Sequence, residues 1–140
     1  SRLDSVQAIV GNELIDQAAT ITERRIKNAR TYDEAFSELS QIKLPLRRKN
    51  VRQVFHLYMF QVDESIRGAL YDHLLNKGVE AKIHYPIPLY QQDGLKFLGN
   101  KPGDFPVTDQ QAKEIITLPV DQHLEEDEVA YAIETVKSFF

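Results

Sequence analysis

The sequence predicts an α+β fold in which a long, bent N-terminal helix leads into a small sheet covered by helices on one face. Three observations point there. An apolar stripe at three- and four-residue spacing runs from Leu3 through Val6, Val10, Leu14, Ala18 and Ile21, and resumes at Ile26, Ala29, Phe36 and Leu39. The run 54–62 is apolar on both alternating faces, which marks a buried strand. A short apolar segment at 115–118, stopped by Pro119, precedes a second helical stripe formed by Val129, Ile133, Val136 and Phe140.

Taken in order, 1–40 reads as one helix that bends near 18–22, because neither Gly nor Pro separates its halves there. Thr20, three residues ahead of Glu23, offers a capping box at which the helix would restart. Residues 41–53 form a polar connection broken by Pro45. Its Lys43, Arg47, Arg48, Lys49 and Arg52 have no interleaved aromatic platform, so they read as a solvated loop rather than a nucleic-acid surface. After the strand at 54–62, Asp63 opens a helix with Ile66, Ala69, Leu70, Leu74 and Leu75 inward. Asn76-Lys77-Gly78 stops it, with Gly78 suited to the left-handed position. Val79, Ala81 and Ile83 alternate with Glu80, Lys82 and His84, a half-buried strand. A short helix is expected over 91–98, another capped by Thr108, and a last one over about 125–139. The acidic first turn of that last helix, Glu125 to Glu128, complements the helix dipole.

Composition excludes several chemistries. The 140 residues contain no Cys, hence no disulfide framework, thiolate metal site, iron–sulfur cluster or Cys nucleophile. The net charge of −4 weighs against nucleic acid as a partner. The chain shows neither the apolar run of a membrane span nor a signal sequence, so a cytoplasmic, non-membrane protein is expected. Residue 1 is Ser and the single Met is Met59, which leads us to expect a removed tag or a piece of something longer. The glycines form no phosphate loop, and the four histidines lack paired ligand spacing, so no metal is expected. His56 reads as a hydrogen-bonded core residue, His73 as a surface residue and His123 as part of a loop. His84 differs: it ends a strand and opens His84-Tyr85-Pro86-Ile87-Pro88-Leu89-Tyr90-Gln91. The two prolines stiffen that segment and keep it out of a ladder, which makes it a candidate substrate wall. A functional and a purely structural His84 remain equally open on these grounds.

Five ordered strings carry a resemblance. They are Ser1-Arg2-Leu3-Asp4-Ser5-Val6-Gln7-Ala8, Phe55-His56-Leu57-Tyr58, the 84–91 segment, Gly103-Asp104-Phe105-Pro106 and Thr117-Leu118-Pro119-Val120. Together, across essentially the whole chain, they resemble the C-terminal part of the DegT/DnrJ/EryC1/StrS family of pyridoxal-phosphate-dependent sugar aminotransferases. The resemblance implies a small, mostly antiparallel C-terminal domain at 41–140, preceded by an interdomain and interface helix region at 1–40. It also implies a homodimer whose pyridoxal phosphate is held mainly by a large N-terminal domain. That domain would supply the Schiff-base Lys, the Asp on the pyridine nitrogen and most phosphate contacts, none of which this chain contains.

By the same resemblance, Arg2 lies beside the partner subunit's active site, where a guanidinium suits a phosphate or carboxylate; a salt bridge with Asp4 or an interface acid is the structural alternative. His84 and Tyr85 lie near the nucleotide-sugar substrate. Tyr90 stands where the family often has His, keeping a polar tip but losing a group that titrates near neutral pH. The implied reaction moves an amino group, usually from glutamate, onto a keto group of a nucleotide-linked sugar, and the chain alone is expected to be inactive. Two further readings stay open: a dehydratase on the same scaffold, distinguished by the residue at the family's Lys position, and a non-catalytic interaction module using the long helix and the basic 47–52 patch.

Overall fold

The computed structural model describes residues 3–140 and is α+β, with a two-stranded antiparallel sheet at its centre. Helix α1 (Ser5–Ile15) opens on a capping box in which the Gln7 N–H donates to Asp4 Oδ1 at 2.9 Å and the Asp4 N–H donates to the Gln7 side chain. Helix α2 (Ala18–Phe36) is a separate element. The single bent helix expected over 1–40 is therefore broken, at 16–17, where the Gln17 N–H bonds the Leu14 carbonyl three residues back. The Thr20 cap is not used; Thr22 Oγ1 instead donates to the Ala18 carbonyl inside α2. The physical reason lies in packing. Helix α1 buries no residue, so nothing holds its axis in line with α2, which buries Ile26, Asn28, Ala29, Tyr32 and Phe36.

Strand β1 (Tyr58–Gln61) pairs with β2 (Ile115–Leu118) in the register Tyr58↔Leu118, Met59↔Thr117, Phe60↔Ile116 and Gln61↔Ile115. Single bridges extend this pair on both sides, Lys43↔Gln61 and Lys82↔Thr117. The strand expected at 54–62 thus begins only at Tyr58. The Arg25 guanidinium of α2 donates to the Phe55 and His56 carbonyls at 3.2 and 3.3 Å, and Phe55 sits at φ 52°, which turns this stretch away from the ladder. His56 and Val54 are exposed as a result, so His56 is not the core histidine that the apolar run implied. The strand expected after Gly78 keeps its alternation, with Val79 and Ala81 buried and Glu80 and Lys82 outward. It contributes only one bridge because the Val79 and Ala81 amides bond locally, to the Leu74 and Val79 carbonyls.

Helix α3 (Glu64–Asn76) is capped by Asp63, whose carboxylate accepts the Ser65 amide at 2.9 Å, and closes at Gly78 with φ 79°. Leu70 and Leu74 face inward, whereas Leu75 is exposed. The helix expected at 91–98 is instead two short 3₁₀ turns, Leu89–Gln91 and Asp93–Leu98. Helix α4 (Pro106–Glu114) starts at its proline, where a missing amide removes no helical bond, rather than at Thr108. Helix α5 (Glu126–Lys137) packs on α2 and α3 and closes the core.

That core joins Tyr32 and Phe36 of α2, Tyr58 and Phe60 of β1, Leu70 and Leu74 of α3, Ile116 of β2 and Val136 of α5, all fully buried. Tyr32 lies 4.8 Å from Tyr58 and Phe36 lies 5.6 Å from Phe60, measured between ring centroids. The basic connection is only partly solvated. Arg47 binds Asp33 in bidentate fashion and lies over the Phe55 ring, and Arg52 pairs with Glu23, while Arg48 and Lys49 are exposed. Among the described residues no helix is long and apolar enough to cross a membrane.

Candidate functional site

The central sheet ends at Lys82, and the chain there turns into the stiff 84–92 segment. His84 is half-buried, and its Nδ1 lies 2.9 Å from Oγ1 of Thr117 on β2. Tyr85 follows through a cis peptide; its ring stands edge-on to the imidazole with centroids 5.6 Å apart, and most of its surface is exposed. These two side chains, with Ile87, Pro88 and Leu89, form one wall of a cavity of about 340 Å³. Helix α4 supplies the opposite wall through Thr108, Gln111 and Ala112. The lining is mostly apolar with a few polar groups, the usual make-up of a small-molecule site.

His84 also borders a second hollow, of about 350 Å³, lined by Arg25, His56, Lys82, Thr117 and Asp121 among others. The imidazole therefore stands between an apolar cavity and a charged one. The Lys82 ammonium pairs with Glu80 at 2.8 Å, and that hydrogen bond raises the Lys82 pKa, so the amine stays protonated.

Tyr90 is not brought to the cavity with His84 and Tyr85. Its hydroxyl donates to Asp109 Oδ1, its ring packs 4.8 Å from that of Phe105, and Gln91 Nε2 donates to the same carboxylate oxygen at 2.8 Å. The Gly103 amide donates to Asp109 Oδ2 at 2.8 Å. Asp109 thus latches both the 89–91 turn and the 99–105 loop to α4. The Tyr90 hydrogen bond, ahead of the other causes, holds the Asp109 pKa below the usual carboxylate value. A depressed pKa stabilises the latch above the ordinary carboxylate range, and that contribution is lost as pH falls through the folded value. Acidification to below the ordinary carboxylate range is expected to loosen the Gly103 amide selectively, read as loss of its hydrogen-exchange protection there. Unchanged protection there would show that Asp109 does not hold the loop.

Arg2 lies outside the described residues. Thr117, Thr108, Gln111 and Asp109 are participants that the sequence did not mark as site residues, Thr108 reading only as a helix cap and Thr117 only as part of a resemblance string. For Thr117 a signal existed: it is the one hydroxyl-bearing residue in the apolar strand Ile115–Leu118.

Pyridoxal phosphate does not fit either hollow on the residues present. The apolar cavity is lined by neither a lysine nor an arginine, so it offers no amine for covalent attachment and no cation for the phosphate. In the charged hollow the one lysine is held protonated by Glu80, and Arg25 is engaged with the Phe55 and His56 carbonyls and with Gln122.

The chain is similar to known proteins over nearly its whole length. The chain is 30% identical over 138 residues to the erythromycin biosynthesis sensory transduction protein EryC1 of Saccharopolyspora erythraea, covering 99% of this chain and 37% of that protein. It is 28% identical to a dTDP-3-amino-3,4,6-trideoxy-alpha-D-glucose transaminase of Streptomyces venezuelae, over 99% of this chain and 36% of the relative. Among solved structures, S. venezuelae DesV in complex with a ketimine intermediate superimposes with a TM-score of 0.93 at 26% identity, over 99% of this chain and 37% of DesV. The chain therefore spans little more than a third of the length of the relatives it matches. The family model described as the DegT/DnrJ/EryC1/StrS aminotransferase family matches residues 1–137, and the chain belongs to that family.

Proposed function

We propose that this chain is the C-terminal portion of a pyridoxal-phosphate-dependent aminotransferase that transfers an amino group, with glutamate as donor, to a keto group of a nucleotide-linked sugar. The observation that carries the reading is the cavity at the sheet end, where His84 and Tyr85 face α4 across a mostly apolar space. The transaminase named for a dTDP-linked amino sugar, similar over nearly all of this chain, supports the substrate class.

In this reading the cofactor, its lysine and its phosphate contacts belong to residues outside this chain, since the hollows described above do not fit them. When bound, the cofactor supplies the electron sink for moving the amino group. This chain's own part is to wall and orient the sugar. His84 and Tyr85 contact the sugar nucleotide, the stiff 84–92 segment fixes their placement, and α4 excludes water on the far side. Tyr90 borders the substrate region through its turn, and Arg2 reaches the partner subunit's site in a cytoplasmic homodimer. Residues 1–40 serve as the interface region and 41–140 as the small domain. Alone, the 140 residues are inactive.

Two measurements test this. The isolated chain mixed with pyridoxal phosphate is expected to show no absorbance of a bound cofactor and no transamination, and either signal would refute the assignment of the cofactor site elsewhere. In the parent enzyme, His84→Ala is expected to raise KM for the keto-sugar nucleotide about tenfold, a loss of about 1.4 kcal/mol, with a smaller effect on KM for glutamate. An unchanged sugar KM would remove His84 from the substrate wall.

A further inference from the structure

The contacts of Thr117 determine which nitrogen of His84 carries the proton. Thr117 is 2% exposed and sits in the middle of the sheet, opposite Met59 and bridged to Lys82. Its Oγ1 makes two short contacts, donating to the Lys82 carbonyl at 2.9 Å and lying 2.9 Å from His84 Nδ1. A hydroxyl has one proton to give. With that proton on the Lys82 carbonyl, Oγ1 meets the imidazole as an acceptor, and Nδ1 must be the donor.

The opposite arrangement has the hydroxyl donating to a bare Nδ1. It makes one hydrogen bond instead of two and leaves Thr117 Oγ1 facing the Lys82 oxygen at 2.9 Å with no proton between them. The Lys82 carbonyl is itself fixed, because the Thr117 and Lys82 amides exchange backbone hydrogen bonds at 2.8 and 3.0 Å. The acceptor is thus built into the ladder and does not depend on a mobile side chain.

We infer that Thr117 is a positioning residue that holds neutral His84 as its Nδ1–H tautomer, so that Nε2 is a hydrogen-bond acceptor. Nε2 has no hydrogen-bond partner among the described residues, while the ring lines both hollows. The consequence for ligands is a choice of chemistry. Nε2 accepts from a hydroxyl or an N–H group and gives nothing to a carbonyl or a phosphate oxygen while the ring is neutral. Resting on the reading above, this makes a sugar hydroxyl, rather than the keto oxygen or the diphosphate, the group that His84 binds.

The test is the ring nitrogen spectrum of His84 in ¹⁵N-histidine-labelled protein without substrate, assigned by the signals that disappear in His84→Gln. In the neutral ring the expected pattern is a protonated, pyrrole-type Nδ1 and a bare, pyridine-type Nε2, the reverse of the tautomer that free histidine prefers. Thr117→Val removes the acceptor and is expected to return the ring to predominantly Nε2–H. Thr117→Ser keeps the hydroxyl and is expected to restore Nδ1–H. A predominantly Nε2–H ring in the unsubstituted protein overturns the inference with no variant needed, and so does a Thr117→Val protein that keeps Nδ1–H. Because the measurement uses no substrate, its outcome is separate from the KM test of His84: a tautomer found as expected beside an unchanged sugar KM would retain Thr117's role and refute only the substrate reading.

Discussion

Phe60→Ala is expected to lower the unfolding free energy by about 3–5 kcal/mol. Phe60 is fully buried at the centre of β1, paired across the ladder with Ile116, with its ring 5.6 Å from that of Phe36 on α2. Truncation removes the transfer free energy of a benzyl group and leaves a void that strand and helix cannot both close, since each is also held by neighbouring contacts. With domains of this size stable by about 5–15 kcal/mol, one substitution would remove a large part of the total. Urea unfolding gives the answer as a lower midpoint at unchanged slope. A change below about 1 kcal/mol would mean that β1 does not pack on α2 as described.

Asp33→Ala is the second large expected loss, about 2–3 kcal/mol, between the values for exposed and fully buried pairs. The carboxylate accepts from Arg47 Nε at 2.8 Å, from Arg47 Nη2 at 2.9 Å and from the Tyr58 hydroxyl at 3.0 Å. The Asp33 and Arg47 side chains keep 22% and 31% of their exposure, which is why the lower figures apply. Burial, and after it the nearby Asp33 charge, push the Tyr58 pKa up, so its hydroxyl stays protonated and needs an acceptor. Removing Asp33 orphans that hydroxyl and leaves the guanidinium only its bond to Gln53. Adding Tyr58→Phe to the Asp33→Ala protein is therefore expected to recover about 1 kcal/mol, and equal stability of the two proteins would show that water satisfies the hydroxyl.

The elements most legible in the sequence are those whose limits are set locally. Asp63 caps α3 and Gly78 closes it within the same few residues, and Pro119 follows directly on β2. Where a distant residue decides, the pattern misleads. The apolar run at 54–57 looks like strand, but Arg25 holds its carbonyls from a helix 30 residues earlier. The unbroken stripe of 1–40 looks like one helix, but only its second half meets a core. The site shows the same division. His84 and Tyr85 stand out because Pro86 and Pro88 flank them at a strand end. Thr117 does not, because its importance comes from a contact with a residue 33 positions earlier. Tyr90 was visible as a polar aromatic, yet its partner Asp109 lies 19 residues away on α4, and that contact fixes the loop it serves.

The pairing of α2 with α5 also governs when this fold can form. The Tyr32 hydroxyl bonds the Pro119 carbonyl 87 residues ahead, and the Asn28 side chain bonds the Asp121 carbonyl 93 ahead. Val129, Ala132, Ile133 and Val136, which seal the core, come still later in the chain. On a ribosome, α2 therefore waits with Tyr32 and Phe36 uncovered until the α5 segment has emerged. Pairings across so many residues must close long loops before they gain contacts, so α2 docks late and slowly.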